Sequence, residues 1–245
     1  MSRFNFGRAA GTPPVVKNLI IINVALFVAL FLFRQMFRTD LNGILGMYYI
    51  QSPLFQPWQI VTHMFMHGSV MHIFFNMWAL WIFGKTLESV WGGKRFLIYY
   101  LVTGLGAAFF HQLVMYFSMA PQIADMKSAY NIDVLTIERL NQVFAMGTEY
   151  NGLIRNLFTP TVGASGAVFG ILLAFGMLFP NTPLFIIPFP FPIKAKWLVI
   201  GYGALELYLG VTQPGSNIAH FAHLGGMIFG FIMIKYWNKT SNKFY

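Results

Sequence analysis

Six long apolar stretches, separated by short polar or proline-broken ones, set the pattern of the chain. They fall near 18–37, 69–84 with an extension toward Val90, 95–117, 163–180, 195–212 and 217–237. Each is close to the roughly 18 to 25 apolar residues that a helix needs to cross the hydrocarbon core of a bilayer. The first follows Arg3, Arg8 and Lys17 as the apolar part of a signal peptide would, but Arg34-Gln35-Met36-Phe37-Arg38 comes after it instead of a small-residue cleavage site, so it reads as an uncleaved span. The one long polar stretch, 118–160, carries Asp125, Asp133, Glu138 and Glu149. Within it Ile132, Leu135, Leu140, Val143 and Phe144 recur at near-helical spacing, which predicts a short amphipathic helix. Residues 183–192 are apolar but interrupted by Pro183, Pro188, Pro190 and Pro192, so they read as an interfacial loop and not as a helix. No repeat of solenoid length is visible. The pattern predicts an all-α polytopic membrane protein with a bundle of six transmembrane helices. Residues 1–17 and 238–245 would be cytoplasmic tails, 18–237 the membrane domain, and 118–160 an insertion at the outer face.

Composition agrees with this reading. Hydrophobic residues make up 57% of the 245, charged residues 9%, and the mean hydropathy is +0.60. With 27 Phe and 14 Met there is more apolar surface than one water-facing core could bury. The net charge of +9 could suggest a nucleic-acid binder, but the basic residues sit in small groups at the ends of apolar stretches, which suits membrane anchoring. The absence of Cys excludes a disulfide framework and a thiol nucleophile.

An even number of spans puts both termini on one side. If that side is cytoplasmic, Arg3, Arg8, Lys17, Lys85, Lys94, Arg95, Lys194, Lys196, Lys235, Lys239 and Lys243 lie inside, and Arg34, Arg38, Lys127, Arg139 and Arg155 lie outside. That distribution follows the positive-inside rule. The expected location is the plasma (inner) membrane, with both termini cytoplasmic.

Polar groups inside spans are costly and are functional candidates for that reason. They gather in three places: His63, His67, His72 and Asn76 on the approach to and first turns of span two, Ser165 at the start of span four, and His220 and His223 at the start of span six. All three enter from the outer face and can meet at one depth. Ser165 stands in Gly163-Ala164-Ser165-Gly166, where a helix start exposes its hydroxyl and presents unpaired N–H groups. The same residues would also serve an ordinary helix contact.

Gly166 and Gly170 on span four and Gly226 and Gly230 on span six form small-residue stripes that let two backbones approach closely. His223 shares the span-six stripe, so it projects toward Ser165, and a hydroxyl next to an imidazole is an activated nucleophile. His220 points away from the stripe and is the weaker base candidate. No acid is expected at that depth, because Glu88 and Glu206 are placed elsewhere, so the expectation is a Ser-His dyad and not a triad. His72 and Asn76 share a helix face and could donate to a carbonyl gaining negative charge, or bond to neighbouring helices. His63 and His67 have spacing compatible with a metal, but His-Glu-x-x-His is missing, so no metal and no cofactor is expected.

These motifs resemble the rhomboid family of intramembrane serine proteases in its six-span bacterial form, over roughly residues 15 to 237. The resemblance rests on residues 58–67 (WQIVTHMFMH), His72 to Asn76, Gly163 to Gly166, and Ala222-His223-Leu224-Gly225-Gly226 with Gly230 beyond. It implies Ser165 as nucleophile, His223 as base, and His72, Asn76 and the Ser165 N–H as oxyanion donors. It also implies a structural role for Gly84 and Glu88, a membrane-embedded loop near 38–60, and lateral substrate access near span five.

Three positions depart from the family pattern: Gln59 where Arg is frequent, Phe169 where Tyr is common, and a long 118–160 insertion. The partners implied are membrane proteins with a transmembrane segment and the lipid bilayer, with no nucleic acid. A non-catalytic rhomboid-like binder is the alternative, and a transporter a more remote one.

Overall fold

The computed structural model describes residues 11–185, 191–212 and 217–240. The chain is almost entirely helical. Helix α1 (Pro14–Phe37) is followed by the short α2 (Leu41–Leu45) and α3 (Gln59–Thr62) in a long loop. Helix α4 (Val70–Ala79) passes through a π-helical turn, Leu80–Gly84, straight into α5 (Lys85–Trp91), so the second apolar stretch is one run from Val70 to Trp91. It ends at Gly92, whose φ of 78° stops the helix. Then come α6 (Gly93–Ala129), α7 (Ile137–Ala145), α8 (Asn151–Phe158) and α9 (Ser165–Leu178). A two-residue hairpin of β1 (Pro183–Leu184) and β2 (Ile193–Lys194) leads to α10 (Ala195–Thr212) and α11 (Asn217–Thr240). The proline-broken loop is therefore seen at its two ends, and 186–190 lie outside the described residues. So do most of the N-terminal tail and residues 241–245.

Helices α6, α9 and α11 form the centre. Helix α9 is apolar on all sides, and eight of its fourteen residues are buried, as expected of an innermost helix. Close approach is written into its glycines: a Cβ on Gly226 would strike the Gly166 carbonyl oxygen, and one on Gly230 would lie 3.4 Å from Gly170 Cα. The small-residue stripes do pack on each other. On the outside the helices expose large apolar side chains, such as Ile21, Val28 and Phe31 on α1, Phe74 and Trp78 on α4, and Ile200 and Leu207 on α10. Apolar surface that extensive calls for a lipid covering. By length and apolarity alone, two described helices, α1 and α6, would each cross a membrane, and α9 is a shorter apolar helix.

Two expectations are corrected. The third stretch does not end near 117: α6 continues through Pro121 to Ala129, and its 37 residues make a rod of about 55 Å. The 118–160 segment accordingly holds more helix than the one short amphipathic helix expected, with the end of α6, α7 and α8 forming a layer. Met115, Met119, Ile123 and Met126 on the end of α6 pack with Ile132, Leu140 and Val143, and with Leu153, Ile154 and Leu157 of α8. The amphipathic helix expected there is α7, which takes in Leu140, Val143 and Phe144 but begins after Ile132 and Leu135; it is N-capped by Thr136, whose Oγ1 accepts the Arg139 N–H at 3.2 Å.

Glu88 fixes α1 to the bundle. Its Oε1 accepts the Val15 N–H at 3.0 Å and its Oε2 the Val16 N–H at 2.8 Å, so one buried carboxylate satisfies two free donors in the first turn of α1. Gln59, in the position where Arg was the family expectation, is buried and fully bonded. Its Oε1 accepts from Gln56 N at 3.0 Å and Tyr48 N at 3.4 Å, and its Nε2 donates to Ile44 O and Leu54 O, both at 3.2 Å. A neutral amide thus cross-braces the 44–56 loop.

Candidate active site

Ser165 is the first residue of α9, and the chain reaches it by a fixed path. Met47 and Thr161 exchange backbone hydrogen bonds at 2.9 and 2.8 Å, and the Gly163 N–H donates to His63 O at 2.9 Å. Gly163 has φ of 134°, a conformation open to glycine, and a Cβ there would lie 2.8 Å from His72 Nε2. The turn therefore delivers Ser165 beside His72 only because residue 163 has no side chain.

Ser165 Oγ and His223 Nε2 are 2.8 Å apart. With the imidazole proton on Nδ1, the serine hydroxyl donates to Nε2, which is the geometry of a nucleophile with its base. Phe169, one turn along α9, lies flat against the His223 ring at 4.2 Å between centroids and 5° between planes. Phe169 thus stacks on the base although it lacks a tyrosine's hydroxyl.

His72 accepts the Gly68 N–H on Nδ1 at 3.4 Å, which leaves the proton of the neutral ring on Nε2, the atom nearest Gly163. Asn76 is buried and gives one Nδ2 proton to His72 O at 3.1 Å, so a second remains to donate. Ser165, His72, Asn76 and His223 line one cleft of about 630 Å³ between α4 and α10, whose other walls include Phe75, Trp78, Leu172 and Leu198. A second void of about 30 Å³, the volume of about one water, lies behind Ser165 and is lined by His63, His111, Thr161 and Gly163.

Of the residues singled out from the sequence, Ser165, His223, His72, Asn76, Gly163, Gly166 and Gly226 converge here, while Gly230 lies deeper and packs α11 on α9. His63 and His67 do not join the cleft. His63 Nδ1 lies 2.9 Å from Gln59 O, and His67 is buried with its ring edge against His72 at 5.0 Å. His220 does not reach Ser165 and bonds elsewhere.

The expectation that no acid reaches this depth does not hold. Glu206 Oε2 is 2.6 Å from His220 Nδ1 and 3.1 Å from His223 Nδ1. The His223 contact lies off the line of the ring N–H, so it is a close polar contact and not an aligned hydrogen bond. The donor atoms of the three residues all lie within 4.8 Å of one another, a spacing that could also receive a metal ion. The 2.6 Å contact is of hydrogen-bond length, and hydrogen bonding already accounts for it.

Sequence reasoning could have found Glu206. It stands six residues before the end of α10 and His223 six after the start of α11. In an antiparallel hairpin that places both at one depth, and a carboxylate within an apolar helix is itself a signal.

The sequence model of the rhomboid domain matches residues 54–239, which includes every residue of the cleft. The chain belongs to the rhomboid family. RHOMBOID-like protein 12, mitochondrial, of Arabidopsis thaliana is 29% identical over 212 residues, 86% of this chain and 55% of that protein. Rhomboid protein 1, mitochondrial, of Saccharomyces cerevisiae is 26% identical over 184 residues, 75% of this chain and 43% of that one. The chain thus spans about half the length of these two relatives. Rhomboid protease AarA of Providencia stuartii is 25% identical over 235 residues, 94% of this chain and 73% of its own. Rhomboid proteins are membrane proteins and include named proteases, in keeping with the apolar outer surface described above.

Proposed function

We propose that this rhomboid is an intramembrane serine endopeptidase that cleaves transmembrane segments of other membrane proteins near the outer face. The observation that carries the reading is the 2.8 Å contact of Ser165 with His223 at the wall of an apolar cleft. In this reading the six apolar stretches are six spans, both termini are cytoplasmic, and the membrane is the plasma (inner) membrane. Helix α9 supports the depth of the site: its fourteen residues rise about 21 Å, short of the roughly 30 Å hydrocarbon core, so a helix beginning at Ser165 starts below the surface.

A substrate helix reaches the cleft from the lipid between α4 and α10, and must unwind there, because helical peptide bonds are hydrogen-bonded and shielded. Ser165 Oγ attacks the scissile carbonyl carbon as its proton passes to His223 Nε2. The oxyanion is held by the Ser165 N–H, His72 Nε2–H and Asn76 Nδ2–H. The C–N bond breaks as His223 returns the proton to the leaving amine, which gives an acyl-enzyme. Water then attacks the ester carbonyl, gives a proton to His223, and releases Ser165. The small void behind Ser165 offers a place for such a water.

The test is cleavage of a single-span test substrate by the purified protein in detergent. Ser165→Ala and His223→Ala are expected to lower the rate by at least about 1000-fold. Wild-type cleavage by Ser165→Ala would remove the serine mechanism, whereas a wild-type protein that binds the test substrate without cutting it would leave the non-catalytic binding reading in its place.

A further inference from the structure

His223 has two ring nitrogens, and the chemistry above uses only Nε2. The other, Nδ1, lies 3.1 Å from Glu206 Oε2, and the same oxygen is 2.6 Å from Nδ1 of His220, one turn earlier on α11. Glu206 is only 7% exposed, and a carboxylate so far from water is kept there by its partners. Pairing with His220 alone would explain the shorter contact. It does not explain why the carboxylate also lies against the base: the two imidazoles are nearly perpendicular, at 88° with centroids 6.5 Å apart, yet the Nδ1 atoms of both lie close to one oxygen.

From this convergence we infer that Glu206, clamped by His220, is a positioning residue for His223. It favours the tautomer with the proton on Nδ1, which leaves Nε2 free to accept the serine proton. It also holds negative charge against the imidazolium that forms when that proton arrives, and this attraction does not require the N–H to be in line. The inference rests on the reading of Ser165 and His223 as nucleophile and base.

The groups around His223 are Ser165 from α9, Glu206 from α10, His220 on its own helix and His72 from α4. Helix α6 brings His111, which is held by Thr161 Oγ1 at 2.9 Å. Among the described residues Glu206 is the one acid of this set, so a single substitution isolates its charge.

The experiment uses the full chain in detergent micelles and an alkyl fluorophosphonate as the probe. Ser165 Oγ attacks phosphorus, the O–P bond forms, the P–F bond breaks with fluoride leaving, and the hydroxyl proton goes to His223 Nε2. Labelling rates are measured across pH for wild type, Glu206→Gln, Glu206→Asp and Ser165→Ala. Glu206→Gln is expected to label about 100-fold more slowly on the plateau. Its acidic midpoint is expected to move about one unit lower, because the imidazolium loses its neighbouring negative charge. Glu206→Asp keeps the charge and is expected to keep the wild-type midpoint while recovering part of the rate. A Glu206→Gln profile with the wild-type midpoint, whatever its height, overturns the inference.

A second measurement needs no variant: ¹⁵N chemical shifts of His223 in the wild type are expected to show the proton on Nδ1, and a proton on Nε2 would equally overturn it. Ser165→Ala separates the two levels. If that protein still takes the label, the protease reading itself fails. If it is silent while Glu206→Gln behaves as wild type, only the role of Glu206 is lost.

Discussion

His72 and Asn76 stand one turn apart on α4 and present donors to the cleft that holds Ser165. Both are partly committed to their own surroundings, His72 through Nδ1 to Gly68 and Asn76 through one amide proton to the His72 carbonyl, and these bonds aim the remaining N–H groups. Donors fixed in this way stabilise charge that develops only in the transition state, so their loss is expected in kcat more than in KM. His72→Ala and Asn76→Ala are each predicted to lower kcat for the test substrate by roughly 10- to 1000-fold with KM little changed, read from initial rates against substrate concentration. A rise in KM with kcat unchanged would show that these side chains bind substrate uniformly. The residues of this site were legible because polar groups in apolar helices are few, and Ser165, His72, Asn76 and His223 are among those few. Glu206 was missed because it was judged by its own helix, although its distance from the α10–α11 turn equals that of His223. Gln59 could not be read either, since its four bonds reach residues 44, 48, 54 and 56 across a loop without periodic pattern.

Among the elements, the joint between α1 and α5 depends on Glu88. Two N–H groups of the first turn of α1 end on its two oxygens inside the bundle, and removing the carboxylate would leave both donors buried and unpaired. Glu88→Ala is predicted to cost about 2–4 kcal/mol of stability, and the fluorophosphonate labelling rate per folded molecule is expected to stay at the wild-type value. Thermal unfolding in detergent checks the first expectation and labelling at low temperature the second. The helices themselves were the most readable feature: α10 occupies the expected 195–212, and α11 differs from expectation only at its end. The extent of α6 was not readable in the same way. Ser118, Gln122 and Asp125 resemble a loop and Pro121 a helix breaker, yet Met115, Met119, Ile123 and Met126 keep helical spacing on the adjoining face. A helix that leaves the membrane becomes polar on one face, and a search for continuous apolar runs ends at that point.

Among the described residues, the two largest packed regions are joined at the site. One core, the membrane core of the proposed topology, is centred on α9, and a second, its outer layer, is made by the end of α6 with α7 and α8. The outer layer is bolted to the loop before the site. Ser52 Oγ donates to Leu157 O at 2.7 Å, Gln112 pairs with the backbone of Tyr48 and Ile50 at 2.9 and 3.0 Å, and Tyr49 is buried in the outer core. Next to Tyr48 in the same loop, Met47 pairs with Thr161 on the path to Ser165. A further link inside the layer is the Tyr150 hydroxyl donating to Asp125 Oδ2 at 2.6 Å, and this bond pushes the Tyr150 phenol up to about 12. The phenol is raised in the folded protein, so its contribution is present in full below the ordinary tyrosine range and is lost as pH rises through about 12. The link is therefore insensitive to pH near neutrality. If the two regions are one cooperative unit, damage to the outer core must be felt at the serine. Leu140 has no exposed surface, and Leu140→Ala is predicted to remove about 3 kcal/mol. Unfolding followed by circular dichroism and loss of Ser165 labelling are expected to shift to lower temperature together. Labelling that survives past the transition of the outer layer would mean that the layer is a separate unit resting on a self-sufficient membrane core.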